Sequence, residues 1–190
     1  MKQLVIGIDQ SYADTGIAIA VDGVLKWIDH YSFKGCTIKA DKRIYLTAKV
    51  AKLCRRFQDQ YDVAIVVEGI RLFSGQDIHI SRAYLSGAYA MLGSLVDMAT
   101  QVGVPIYCIE TRSWKKAVLG SSKNSSERFE GVKDQKKVES VKYIINAGFK
   151  RQITSQTRNG KIKYNDNMAD AGCIALSYFK SNNCKSLEEF

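Results

Sequence analysis

The sequence predicts an α/β protein with a five-stranded mixed sheet, and three features of the chain support this fold class. The first is an N-terminal meander of three strands, at residues 4–9, 17–21 and 24–31, in which apolar and β-branched side chains dominate. The second is an almost continuously apolar strand at residues 61–69, a pattern typical of parallel strands buried on both faces. The third is a further strand at residues 104–110. An antiparallel meander therefore continues into two parallel strands, and helices flank the sheet.

The helices are predicted from apolar positions that recur on one helical face. Residues 37–60 and 80–102 show this spacing between the strands of the sheet. The second of these helices is rich in Ala and Gly, which suits close packing. Three further helices are predicted to begin at Thr111, at Lys133 and at a cap formed by Asn165 or Asp166.

The segments without periodicity are predicted to be loops and a tail. Residues 120–132 are polar, and residues 149–164 form a second, basic loop. Residues 183–190 are expected to fray. A chain of 190 residues is long enough for one buried core, so we expect a single domain over residues 1–182.

Composition narrows the class of protein. No apolar run reaches the roughly 18–20 residues that a membrane-spanning helix needs, so no span is expected. The five cysteines are an odd number, widely scattered and without a C-x-x-C pair. This pattern disfavours a disulfide framework or a zinc site and indicates a reducing, cytoplasmic location.

The positive charge of the chain is concentrated in one segment. The formal net charge is +9, and residues 112–163 contain 14 Lys or Arg against 4 Asp or Glu. The rest of the chain is therefore close to neutral. Although a basic surface can simply be solvated, such segregation favours a polyanionic partner.

Four acidic residues stand where an α/β fold builds its sites. Asp9 ends the first strand and Glu68 ends the fourth, so their carboxylates lie together if those strands are neighbours. Asp166 and Asp170 are four residues apart and can share one face of the last helix. Clustered carboxylates repel one another unless cations bind among them, and Mg²⁺ or Mn²⁺ suits such ligands. Two such ions can promote phosphodiester hydrolysis, whereas each acid taken singly fits a turn or a helix cap.

Four short motifs carry a more specific signal. They are VIGIDQSYADTG at residues 5–16, VVE at 66–68, WKKAVLG at 114–120 and DNMADAGCIAL at 166–176. Together they resemble the RuvC family of Holliday junction resolvases, in the ribonuclease-H-like superfamily, over about residues 3–180. Because residues 120–132 and 150–164 are longer than in compact bacterial members, the resemblance is to a divergent, phage-type relative.

The resemblance implies that Asp9, Glu68 and Asp170 are catalytic metal ligands for two Mg²⁺ or Mn²⁺ ions per site. The family has Asp or His three residues before its last Asp, and here that position is Asn167. A neutral amide oxygen binds Mg²⁺ less well than a carboxylate does. Either Asn167 keeps the position of the fourth ligand, or Asp166 replaces it.

The family acts as a homodimer that cuts two strands of like polarity at a four-way junction. Ser86-Gly87-Ala88 is our candidate for the dimer contact, and Lys115 matches a basic position near the junction phosphates. Phe73 or Arg71 matches the place where the family stacks an aromatic side chain on an unpaired base. The residues expected to contact DNA are Arg71, Phe73, Lys115, Lys116, Lys123, Lys133, Lys136, Arg158, Lys161 and Lys163.

The leading hypothesis is therefore a metal-dependent, structure-selective DNA endonuclease that resolves four-way junctions and other branched DNA. A second hypothesis is a catalytically weak or inactive junction-binding protein, for which Asn167 is the supporting feature. A third is an ATPase domain of the actin/hexokinase type. That fold normally needs two halves around its nucleotide, and a domain of this length has room for one.

Overall fold

Three strands open the chain, and helices and strands then alternate as far as residue 119. The structure is a computed structural model that describes residues 1–11, 14–33, 39–69, 82–121 and 128–187. Its strands are β1 (Lys2–Asp9), β2 (Asp14–Val21), β3 (Val24–Ser32), β4 (Tyr61–Glu68), β5 (Ile106–Ile109), β6 (Thr154–Gln156), β7 (Ile162–Tyr164) and β8 (Lys185–Ser186). Its helices are α1 (Lys39–Phe57), α2 (Arg82–Val102), α3 (Thr111–Leu119), α4 (Val138–Ile144), α5 (Lys150–Ile153) and α6 (Asp166–Lys180).

The main sheet is mixed, with the strand order β3-β2-β1-β4-β5-β8. β1 pairs antiparallel with β2 and parallel with β4, and β4 pairs parallel with β5. The predicted antiparallel meander and two parallel strands are therefore confirmed. Ile8 lies opposite Val67, so the next residues, Asp9 and Glu68, end their strands side by side at one edge of the sheet.

The two faces of the sheet bury separate apolar clusters. Side chains alternate along β1, so that Val5 packs with α3, α4 and α6, whereas Leu4 and Ile6 pack with α1 and α2. Every residue of β4 from Val63 to Val67 is buried, as expected for a strand covered on both faces. Among the described residues, no helix is long and apolar enough to cross a membrane.

Residues 133–164 contain more regular secondary structure than predicted. The helix expected at residues 133–147 begins as a 3₁₀ turn at Gln135–Lys137, which Asp134 caps, and continues as α4. A π turn at Ile145–Phe149 follows and contains Gly148 near φ 93°. The predicted loop at 149–164 instead contains α5 and a β6–β7 hairpin. The sequence did not indicate this hairpin because each strand has only three residues, most of them polar.

The predicted tail contributes a sixth strand to the sheet. β8 pairs antiparallel with β5, and the Leu187 amide donates to the Ile106 carbonyl at 3.0 Å. The prediction that these residues fray is therefore wrong for Lys185–Ser186. The sequence carries little sign of this strand, because only two of its residues pair with β5. Their pairing depends on the edge of β5 that β4 leaves open.

α6 lies unusually close to the strands that carry Asp9. A Cβ atom added to Gly7 would lie 2.5 Å from the Ala171 carbonyl oxygen and 2.5 Å from the Ala175 nitrogen. Both neighbours are backbone atoms, which cannot rotate away as a side chain can. Glycine at position 7 therefore permits the approach that brings α6 against β1.

We predict that Gly7→Ala lowers the free energy of unfolding by about 2 kcal/mol or more, because the added methyl group forces α6 away from the sheet. The measurement is urea denaturation followed by circular dichroism. Gly93→Ala is the matched control, because nothing lies within 4 Å of a Cβ at that position in α2. The control should be neutral or stabilising by about 0.5–1 kcal/mol. Equal stability of Gly7→Ala and wild type would contradict the close packing.

Candidate active site

Two elements, β1 and α6, bring acidic and amide side chains together at one edge of the sheet. Asp9 ends β1 and is 7% exposed, and Asp170 lies in the second turn of α6 and is 4% exposed. Asn167 stands one turn earlier on the same helix, which Asn165 caps through its side chain to the Met168 amide. The sequence left Asn165 and Asp166 open as the cap, and the cap is Asn165.

A lysine that the sequence analysis missed stands at the centre of this group. The Lys137 Nζ atom lies 3.2 Å from Asp9 Oδ2, 2.9 Å from Asp170 Oδ2 and 2.8 Å from Asn167 Oδ1. Its side chain is 23% exposed. Lys137 belongs to a run of basic residues, so in the sequence it looks like any solvated surface lysine. The one available signal was its position directly before the apolar face of α4.

Burial and charge shift the pKa values of these groups in linked ways. Burial alone lowers the pKa of Lys137, but attraction to Asp9 and Asp170 outweighs burial and raises it above its usual value. Burial raises the pKa of Asp9 to about 8, although the Lys137 charge opposes this shift. Burial likewise raises the pKa of Asp170. The metal-free site thus favours a proton on a carboxyl group and a charge on the ammonium.

Glu68 is held by a separate set of donors. The Thr111 hydroxyl donates to Glu68 Oε1 at 2.5 Å, and the Trp114 indole N–H donates to the same oxygen at 3.2 Å. The Gln10 side chain donates from Nε2 to the Glu68 backbone carbonyl at 2.6 Å. The Glu68 charge raises the pKa of Asp9, so the two carboxyl groups are within electrostatic range. Both residues that orient the carboxylate belong to α3, which opens directly after β5.

Asn167, rather than Asp166, contacts the central ammonium. The Asn167 side chain also donates from Nδ2 to the Asp14 carbonyl at 2.7 Å, which fixes its oxygen toward Lys137. Asp166 contributes its charge to the raised pKa of Lys137. Ser140 completes the group by donating its hydroxyl to Asp170 Oδ1 at 2.5 Å.

The oxygen atoms of the site suit a hard cation. Within the part of the chain that the structure describes, no group of three or more His, Cys, Asp or Glu residues converges as a metal site. The group that does converge includes an amide, Asn167, and is filled by the Lys137 ammonium. Three oxygens from three residues nevertheless point at one positive charge. Carboxylate and amide oxygens are the ligand types that Mg²⁺ and Mn²⁺ take, so the donor set fits such an ion.

The described basic residues lie on three elements next to this edge, namely α3, the 3₁₀ turn and the β6–β7 hairpin. The Lys115 ammonium donates to the Lys136 carbonyl at 3.1 Å, which ties α3 to the 3₁₀ turn. The β6–β7 hairpin ends at Tyr164, directly before the cap of α6. Arg71, Phe73 and Lys123 lie outside the described residues. The exposed members of the predicted DNA-contacting set are Lys116, Lys133, Lys136, Arg158, Lys161 and Lys163.

The antiparallel meander, the parallel strands and the flanking helices constitute the ribonuclease-H-like fold of RuvC. Thermus thermophilus RuvC, solved in complex with a Holliday junction substrate, matches with a TM-score of 0.69 at 20% identity over 97% of this chain and 99% of that chain. A second Thermus thermophilus RuvC structure matches with a TM-score of 0.64 at 20% identity over 97% of this chain and 100% of that chain.

The yeast mitochondrial Holliday junction resolvase Ydc2 matches with a TM-score of 0.54 at 16% identity, over 93% of this chain and 77% of that chain. The resemblance to RuvC that the motifs predict is confirmed by these structural neighbours, at the level of fold. No protein-family profile matches the chain, and no curated protein matches it significantly.

We predict that the metal-free protein loses stability as pH rises from about 4 to 8. The folded-state pKa of Asp9, about 8, exceeds its ordinary value of 3.8, so folding favours the proton. This contribution is fully present below pH 4 and is lost as pH approaches 8, on the order of a few kcal/mol. The measurement is urea denaturation in EDTA at several pH values.

The Asp9→Asn variant should show a smaller decline, since its amide does not titrate. Asp59→Asn is the matched control, because Asp59 is exposed in the turn between α1 and β4. Its stability should decline with pH as that of wild type does. An Asp9→Asn variant with the same decline as wild type would show that Asp9 does not cause it.

Proposed function

We propose that this protein is a divalent-metal-dependent DNA endonuclease that cuts four-way junctions by symmetric phosphodiester hydrolysis. The observation that carries the proposal is the convergence of the buried Asp9 and Asp170 with Asn167, beside Glu68, at the edge of a RuvC-type sheet. The structural neighbours include a RuvC bound to a Holliday junction substrate and a mitochondrial junction resolvase. A reducing cytoplasm remains the expected location.

Each residue of the site has a distinct role in the proposed reaction. Asp9, Glu68 and Asp170 would hold Mg²⁺ or Mn²⁺, which supplies a Lewis acid and lowers the pKa of bound water. Thr111 and Trp114 fix the Glu68 carboxylate by donating to Oε1. Ser140 fixes Asp170 in the same way. These hydrogen bonds keep the acidic oxygens oriented before DNA arrives, so less reorganisation is needed during hydrolysis.

The basic elements beside the site are proposed to bind the DNA arms. Arg158 lies in the exposed turn of the β6–β7 hairpin. Lys161 directly precedes β7, and Lys163 lies within it. The hairpin is anchored next to the site, because the Asn165 amide donates to the Ile153 carbonyl at 2.7 Å. Phosphate contacts from this hairpin would orient the junction without reading its sequence.

Symmetric cleavage requires two sites related by a two-fold axis, so a homodimer is included in the proposal. The candidate contact remains the segment Ser86-Gly87-Ala88 of α2. Tyr89 follows directly and is 39% exposed, which leaves a large aromatic side chain available on this helix. Aromatic side chains are enriched at protein interfaces.

One alternative function is favoured by a specific observation. A junction-binding protein without catalytic activity would have basic surfaces and an acidic site whose negative charge is neutralised by the protein's own side chains. The Lys137 ammonium and the neutral Asn167 give such neutralisation. Cleavage assays with and without Mg²⁺ separate this alternative from the nuclease. No observation favours the ATPase hypothesis.

We predict that wild-type protein cuts a labelled synthetic four-way junction in Mg²⁺, cuts a linear duplex far less, and is inactive in EDTA. Asp9→Asn and Glu68→Gln should each lower the cleavage rate by about 100-fold or more, because each loses a metal ligand. Junction binding in a gel-shift assay should persist or tighten, since a negative charge near the scissile phosphate is removed. A replication fork in the same assay tests other branched DNA.

Asp59→Asn is the control for this assay and should cut at the wild-type rate. If wild type binds the junction in Mg²⁺ but never cuts it, the inactive junction-binding protein is the correct function. Near-wild-type cleavage by Asp9→Asn would remove Asp9 from the reaction.

We predict that replacing Arg158, Lys161 and Lys163 together with Gln weakens junction binding and flattens its salt dependence. Each lost phosphate contact should reduce the slope of log K against log salt concentration by roughly 0.9. The measurement is fluorescence anisotropy with the junction between about 50 and 200 mM salt. The control triple variant replaces Arg55, Lys26 and Lys52, which are exposed on α1 and β3. If both triple variants change the slope equally, the hairpin has no special role.

A further inference from the structure

We propose that the Lys137 ammonium takes the place of one of the two divalent ions expected from the sequence, so that each site binds a single divalent ion. The inference rests on the proposed metal-dependent function and concerns how many ions that function uses. It starts from the three contacts of Nζ, with Asp9, Asp170 and Asn167 at 2.8–3.2 Å.

The number of contacts matches the number of donors. A lysine ammonium has three N–H groups and no acceptor, and here three oxygens from three residues surround it. All its hydrogen-bonding capacity is therefore used inside the site. A side chain that merely passes the site on its way to solvent would leave donors for water or for a phosphate.

The backbone on either side of Lys137 holds it in this position. Asp134 caps the 3₁₀ turn by accepting from the Lys136 amide at 3.0 Å. The Ser140 hydroxyl, which has one proton to donate, lies 2.8 Å from the Lys137 carbonyl oxygen and 2.5 Å from Asp170 Oδ1. The ammonium therefore stands on a short, capped turn that shares a hydrogen-bonding residue with the site. This is the support that a fixed cation needs.

Charge balance favours one divalent ion beside this ammonium. Asp9, Glu68 and Asp170 provide three negative charges when ionised, which one ammonium and one doubly charged ion neutralise. A second divalent ion would leave an excess of positive charge in a buried site, at a cost that low polarity increases. A carboxylate at position 167 would offset that excess, but the residue there is the neutral Asn167.

The remaining oxygens can hold the single ion. Lys137 contacts Asp9 through Oδ2, and both described side-chain donors to Glu68 contact Oε1. Asp9 Oδ1 and Glu68 Oε2 are the atoms that these contacts do not use. We therefore narrow the three proposed ligands of the divalent ion to Asp9 and Glu68, because Lys137 and Ser140 already contact the two Asp170 oxygens.

The test counts Mn²⁺ ions bound per chain, by equilibrium dialysis and isothermal titration calorimetry of the full-length protein without DNA. Wild type should bind one ion. Lys137→Met combined with Asn167→Asp should bind two, since the fixed cation is removed and a carboxylate replaces the amide. Lys142→Met, in the next turn of the same helical segment, is the control and should bind one. Circular dichroism melting establishes that each variant is folded.

Two ions bound to wild type would overturn the inference while leaving the metal-dependent nuclease intact. A single ion in the folded double variant would also overturn it, because removing Lys137 would then free no position. Absence of binding by wild type would instead overturn the metal dependence itself. The Asn167→Asp variant alone separates the two changes: with Lys137 present it should still bind one ion.

Discussion

The contact of the Lys137 ammonium with Asp9, Asp170 and Asn167 is the interaction around which this edge of the molecule is built. A carboxylate buried without a partner costs several kcal/mol, and two of them side by side repel each other as well. The ammonium offsets both costs and so lets β1 and α6 carry their acidic residues into one place. Because Lys137 is the last residue of the 3₁₀ turn and α4 begins at the next residue, the same contact also positions the start of α4.

Close backbone approach is the second constraint, and it acts on the same elements. Asp9 lies opposite Gly16 in the meander, and a Cβ at Gly16 would collide with the backbone of Asn167. Gly7 permits the same close contact with the following turn of α6. Only with hydrogen atoms at both positions can α6 rest on β1 and β2 with Asn167 and Asp170 facing Asp9. The close packing of α6 on the sheet and the geometry of the site therefore both depend on Gly7 and Gly16.

The arrangement explains why the charge of the chain is so unevenly distributed. The segment rich in Lys and Arg supplies α3, the 3₁₀ turn and the β6–β7 hairpin, and these border the acidic edge of the sheet. One of its lysines, Lys137, is turned inward, whereas Lys133 and Lys136 of the same run are exposed. A polyanion approaching this edge would meet the exposed charges first. The Lys137 ammonium offsets the charge of the acidic residues, which lowers the repulsion that an uncompensated carboxylate cluster would exert on the polyanion.

The sequence by itself determined the antiparallel meander, the two parallel strands and the flanking helices, because these follow from local periodicity and from the apolar character of the strands. It also placed Asp9 and Glu68 at strand ends, and Asn167 and Asp170 on one helix. It did not reveal Lys137, the β6–β7 hairpin or strand β8. Lys137 looks like its neighbours along the chain, and only α6 packed against β1 distinguishes it, by surrounding it with oxygens from residues 30 and 128 positions away. Such long-range contacts carry no local pattern, so they were decided by the tertiary structure.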